Sequence, residues 1–251
     1  MVQQILIRAD DLGYCEAVNY GIAKTVREGI VRSVGVMPNM PAAMQGISLL
    51  EGCDVCLGQH TNICVGRPLS DPTRIPSLCT ADGNFKNSKT FRTTQEDFVV
   101  LDEVILEIEA QYSRFVQLTG RQPSYFEGHA VRSENFFKGL EIVAQRYDLP
   151  LLKMGFNGPV LFRNTWLYSW LESSRAGYQP FDTLRRACES NYNDRECPML
   201  ILHPGYLDNY ILQTSSLTIP RTLEVEMACN RATKIYLQEC GVRVVTYDEL
   251  F

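Results

Sequence analysis

The chain has 251 residues, 45% of them hydrophobic and 21% charged, and its formal net charge is −5. That length suits one large α/β domain with a substantial core, and the acidic balance argues against a nucleic-acid partner. No uninterrupted apolar run of 18 residues offers a membrane span.

Ile5-Leu6-Ile7 reads as a short buried strand that runs through Arg8 and Ala9 into two adjacent carboxylates, Asp10 and Asp11, and a glycine turn at Gly13. Carboxylates at the end of a buried strand are costly unless something positive is close by. Val18, Ile22, Val26 and Ile30 then recur at helical spacing. Residues 33–37 suggest a second strand, 42–50 a small helix and 55–60 a third strand. Strand–helix alternation of this kind predicts parallel strands joined by crossover helices.

Residues 61–94 break the rhythm with Pro68, Pro72 and Pro76. A loop that long, leaving from His60, reads as a lid or wall of a pocket. A long amphipathic helix follows from Leu101 and closes at Gly120, then a strand at 124–126 enters Glu127-Gly128-His129. A helix over 134–147 and a strand candidate at 149–154 come next. Residues 155–179 are rich in aromatic side chains, and read equally well as a second pocket wall or as an insertion packed on the body. Further on are a helix near 181–190, a strand over 199–203 ending at His203, a helix over 220–240 and a strand at 242–245. No linker or repeat divides the chain, so residues 1–251 are expected to form a single domain. About seven strands alternating with helices suit a distorted (β/α) barrel, with a doubly wound open sheet as the alternative. Either places the chemistry at the carboxyl ends of the strands.

The three histidines of the chain, His60, His129 and His203, each fall at or just past a predicted strand end, as do Asp10 and Asp11. One shared address on separate strands predicts one site. A carboxylate with two imidazoles suits a divalent cation with open positions for water and substrate. Neighbouring strand residues point to opposite faces, so the two acids are expected to divide the work. Asp11 would turn to the metal and Asp10 would stay free as a base. His203, before a Pro-Gly turn, suits a general acid. No G-x-S-x-G elbow accompanies the histidines, which argues against a serine triad. Nine scattered cysteines read as reduced thiols, and no export signal is evident, so a cytoplasmic location is expected; a homodimer is only a base-rate expectation.

The string from Arg8 to Ile22, R-A-D-D-L-G-Y followed by V-N-Y-G-I, resembles the opening motif of the YdjC-like (ChbG/HpnK) carbohydrate deacetylases. Gly58-Gln59-His60-Thr61-Asn62 resembles the G-x-H-x-N segment of that family, and Glu127-Gly128-His129 its D-x-H segment. His203-Pro204-Gly205-Tyr206-Leu207-Asp208 is similar to its H-P-G-Y-x-D segment. The resemblance implies Asp11, His60 and His129 as ligands of a divalent metal (zinc or magnesium), Asp10 as base and His203 as acid. It also implies Asn62 and Tyr206 as substrate contacts and an N-acetylated amino sugar, such as a chitooligosaccharide, as substrate. Two departures stand out. The family usually writes D-x-H-x-H, where this chain has Glu127 and Val131. Arg8 replaces the usual polar residue and is expected to pair with one of the acids and weaken it as a base. Hydrolysis of another ester or amide bond, and a silent sugar-binding role, are the rival expectations.

Overall fold

The computed structural model describes residues 3–153 and 158–250. The chain opens as β1 (Gln3–Leu12), α1 (Glu16–Arg27), β2 (Ser33–Val36), α2 (Ala43–Leu49) and β3 (Cys56–Thr61), the alternation expected from the sequence. After the long loop, which carries α3 (Ser88–Thr93), come α4 (Leu101–Thr119), β4 (Phe126–Gly128) and α5 (Glu134–Tyr147). Then follow β5 (Val160–Phe162), β6 (Thr165–Trp170), α6 (Pro180–Glu189) and β7 (Glu196–Leu202). The chain ends with α7 (Asn209–Thr214), α8 (Ile219–Cys229), α9 (Arg231–Glu239) and β8 (Val242–Val245).

The strands form one sheet in the order β4-β3-β2-β1-β7-β6-β5, curled into a half-barrel. β1 is central. It pairs β8 through Gln3–Leu6, and β7 through Leu6–Ala9. Every neighbouring pair is parallel except the β5–β6 hairpin. The barrel expectation therefore holds as a half-barrel with one antiparallel edge. Ile5, Ile7 and Ala9 of β1 pack with Val18 and Ile22 of α1, while Leu6 faces Tyr125, Met199 and Tyr247 on the other side. Alternation along β1 thus feeds two separate cores.

Three segments differ from the sequence reading. The aromatic stretch after residue 158 is part of the sheet itself: it supplies β5 and β6, and β6 pairs in parallel with β7. Thr165 and Leu167 point inward while Trp166 is 43% exposed, a strand alternation that the aromatic composition hid. The strand candidate at 149–154 is reduced to a bridge between Leu151 and Phe126, and its last residue lies outside the described residues. The predicted helix over 220–240 is two helices, because the Asn230 side chain accepts from Ala232 N–H and starts a new one.

The long loop is a fixed wall. Along one face of α4, Glu103 accepts from Ser77 N–H, Glu107 from Leu69 and Ser70 N–H, and Gln111 exchanges two hydrogen bonds with the Asn62 backbone. A second connection is held by close approach. A Cβ on Gly21 of α1 would sit 2.4 Å from Gly205 Cα, so this helix position must be glycine for the loop after His203 to seat.

Candidate metal and catalytic centre

The acid pair sits where β1 loses its regular register against β2, between Ala9 and Leu12. Asp11 has φ +78°, a left-handed conformation that costs a non-glycine residue about 1–3 kcal/mol. That turn lets two consecutive side chains enter one cluster instead of opposite faces. Asp10 gains its room from Gly35 of β2, where a Cβ would stand 2.8 Å from Asp10 Oδ1.

Asp11 Oδ1 lies 3.2 Å from His129 Nδ1 and 3.4 Å from His60 Nε2, and the two ring nitrogens are 2.8 Å apart. All three side chains are buried. Three lone-pair atoms converging in a buried space want a cation between them. Ligand atoms at 2.0–2.1 Å around a tetrahedral ion stand about 3.3 Å apart, close to the spacings here. The orientation of His60 fits as well, since its Nδ1 bonds Glu127 Oε1 and leaves Nε2 for the centre, the carboxylate–histidine pattern of metal sites. The donor set therefore fits a divalent cation.

Each acid is held at one oxygen only. Arg8 Nη2 donates to Asp10 Oδ2 at 2.7 Å, and Arg221 Nη2 to Asp11 Oδ2 at 2.7 Å, while Oδ1 of both acids is buried with no hydrogen-bond partner among the described residues. Arg8 does pair with one of the acids, as expected. Burial alone would raise the Asp11 carboxyl, but Arg221 and the two imidazoles outweigh it and hold it well below the usual range. Burial likewise opposes charge on the imidazoles. Glu127 and Asp10 nevertheless hold His60 well above its usual value, and Asp11 raises His129 to about 9. A bound divalent cation would take over that positive role.

His203 stands at the end of β7, with Nδ1 buried and unpartnered among the described residues. Burial pushes its imidazole down to about 4, so the resting ring is neutral. Its position is set by α8. Glu224 Oε2 accepts from His203 N–H at 2.6 Å, and Arg221 Nη1 donates to the His203 carbonyl at 3.3 Å. Ser173 and Tyr178 hydroxyls hold the other Glu224 oxygen, and burial raises this carboxyl to about 7.

The structure thus brings together Asp10, Asp11, His60, His129 and His203. It does not bring Asn62 into the cluster: its amide is fully used, accepting from Cys64 and Val65 N–H and donating to Asn39 Oδ1 and the Val65 carbonyl. Tyr206 is exposed, its N–H given to the Ala17 carbonyl of α1. Asp208 caps α7 through Ile211 N–H. At the family's second histidine position, Val131 is buried in the core with Phe126 and Phe136. Sequence reasoning missed Arg221 and Glu224. Their only signal was an arginine and a glutamate three apart after Pro220, on the helix face that also carries Val225 and Ala228.

A half-barrel with acids and imidazoles gathered at the carboxyl ends of its strands defines a candidate divalent-cation centre in an α/β fold. Comparison with known proteins makes the assignment specific: the family model described as YdjC-like protein matches residues 4–239, and the chain belongs to that family. It is 27% identical to carbohydrate deacetylase 2 of Listeria innocua, over 98% of each chain. It is also 28% identical to the chitooligosaccharide deacetylase of Yersinia enterocolitica, over 99% of this chain and all of the other. In fold it is similar to an Enterococcus faecalis protein provisionally described as a cellobiose-phosphate cleavage protein (TM-score 0.82, 22% identity, 99% and 98% covered). A family 4 acetyl xylan esterase from Clostridium thermocellum, solved with cobalt, is a more distant likeness (TM-score 0.55, 12% identity, 99% and 90% covered).

Proposed function

We propose that the protein is a metal-dependent carbohydrate deacetylase that hydrolyses the acetamide of an N-acetylated amino sugar, with N-acetylglucosamine units of chitooligosaccharides as the substrate class. The observation that carries this reading is the convergence of Asp11 Oδ1, His60 Nε2 and His129 Nδ1 in a buried space, with Asp10 also gathered beside His60. The relatives named as deacetylases supply the bond and the substrate class.

Asp11, His60 and His129 would hold the cation, which when bound supplies Lewis acidity toward the acetyl carbonyl and lowers the pKa of water. One carboxylate and two imidazoles favour zinc or a similar transition metal over magnesium. Asp10, fixed through Oδ2, presents Oδ1 to accept the proton of the attacking water. His203 is neutral at rest, and the negative charge gathered on the attacked group raises its proton affinity. It then takes up a proton from solvent and gives it to the nitrogen as the C–N bond breaks, and Asp10 returns the proton it took from water to solvent, so the two transfers balance. Acetate and a free amine leave.

Tyr206 is proposed as an exposed aromatic contact for the sugar, whereas Asn62 would serve substrate only through the loop it shapes. The nine free cysteines support a reducing, cytoplasmic setting, and a homodimer is proposed from base rates alone. The test is acetate release from N-acetylated chitooligosaccharides by chelator-stripped and metal-reloaded protein. Activity that survives stripping, or Asp11→Ala, would refute the mechanism. The Arg8–Asp10 ion pair favours one rival, a silent sugar-binding protein; metal-independent sugar binding in calorimetry with no turnover would establish that instead.

A further inference from the structure

Two departures of this chain from the family motif, Arg8 and Glu127, meet in space. Arg8 Nη2 donates to Asp10 Oδ2 and lies 3.5 Å from Glu127 Oε2, while Nη1 donates to the Tyr247 hydroxyl at 3.1 Å. The other Glu127 oxygen bonds His60 Nδ1. Arg8, Asp10, Glu127 and His60 all have side chains no more than 5% exposed, so these contacts are not averaged by water. The ring of Tyr125 lies 5.6 Å from the guanidinium carbon and limits its movement.

The sequence of contacts is Asp10–Arg8–Glu127–His60. At one end is the acid whose free oxygen is proposed to take the proton. At the other is the imidazole whose second nitrogen is turned to the proposed cation position. A guanidinium is a rigid planar fork, so fixing it to Tyr247 and Glu127 fixes the direction from which it holds Asp10. A bare positive charge would neutralise the two carboxylates equally well without setting that direction. The longer side chain of Glu127 matters too, since its two oxygens reach two different partners.

We infer that Arg8 and Glu127 act as one positioning unit, which sets the free oxygen of Asp10 at a fixed place relative to the metal-facing nitrogen of His60. The inference rests on the deacetylase reading for its kinetic consequence, but not for its structural one. Arg8 is a positioning residue, with no contact to reacting atoms.

The experiment is a double-mutant cycle on the full chain, using R8M, E127Q and the charge-balanced R8M/E127Q, with R8K beside it. Zn²⁺ affinity of the stripped protein is measured by calorimetry, and acetate release from di-N-acetylchitobiose gives kcat and KM. R8K keeps the buried charge and the fold; it is expected to lower kcat by about 10-fold or more, with KM and Zn²⁺ affinity within about 3-fold of the parent. E127Q is expected to weaken Zn²⁺ binding about 10–100-fold. On top of E127Q, R8M should change Zn²⁺ affinity and kcat much less than it does alone, the mark of residues that act together. Full turnover in R8K, or an R8M effect that is the same factor with and without Glu127, overturns the inference. If the parent releases no acetate the deacetylase reading fails by itself, and the cycle in Zn²⁺ affinity still decides the coupling.

Discussion

The two aspartates of the centre are held in the same way by partners of opposite origin. Arg8 reaches Asp10 from two residues back on the same strand, and Arg221 reaches Asp11 from a helix 210 residues further along the chain. In both, one oxygen is bound at 2.7 Å and the other has no hydrogen-bond partner among the described residues. What separates them is the company of the free oxygen. That of Asp11 faces two imidazole nitrogens, whereas that of Asp10 stands near Gly35 of β2, with no hydrogen-bond partner among the described residues. That difference in surroundings is the ground for proposing Asp11 for the cation and Asp10 for the proton.

The comparison breaks if the two acids prove interchangeable. Asp11→Asn is expected to abolish both divalent-cation binding and turnover. Asp10→Asn should lower kcat by about 10²–10⁴-fold while leaving Zn²⁺ affinity within about 10-fold, as calorimetry would register. Equal loss of metal binding in both would erase the division. Removing the remote arginine tests the other half. Arg221→Met leaves Asp11 as a buried charge short of its partner, and is expected to cost about 3–5 kcal/mol in denaturant unfolding. A loss under 1 kcal/mol would show that Arg221 is not the counter-charge.

Glu224 sharpens the account of α8 through pH. Its carboxyl is raised from 4.5 to about 7 in the folded protein, so its contribution is full below pH 4.5 and is lost as pH rises through 7. Relative to Glu224→Gln, the parent should lose on the order of 3 kcal/mol of stability between pH 4.5 and 7. A pH-independent difference between the two unfolding curves would refute the raised carboxyl. The smallest effect is expected at the surface: Tyr206→Ala should raise KM about 3- to 10-fold with kcat unchanged, the pattern of lost uniform binding. An unchanged KM would remove Tyr206 from the substrate surface.

What was legible in the sequence was whatever depends on neighbours in the chain. The strand–helix alternation and the strand-end placement of His60, His129 and His203 follow from local periodicity, and so does the pairing of Arg8 with an acid two residues on. The two-residue period of a strand placed Asp10 and Asp11 on opposite faces, whereas the left-handed turn at Asp11 brings both into one cluster. Arg221 and Glu224 were invisible because their partners are set by how α8 packs across the sheet, and no local pattern marks a buried ion pair. Asn62, read from its motif as a substrate contact, uses its side-chain amide within the loop beside His60, an arrangement no local pattern announces. The aromatic stretch before residue 170 failed for another reason, since tryptophan and tyrosine obscured the plain alternation of β6.

The central claim is that a cation held by Asp11, His60 and His129 makes hydrolysis of a sugar acetamide possible. Acetate release from an N-acetylated chitooligosaccharide, measured on chelator-stripped protein before and after one equivalent of Zn²⁺, tests it most directly. The account predicts no release from the stripped protein and recovery on adding the ion. Undiminished release from stripped protein, or none after reloading, would contradict it.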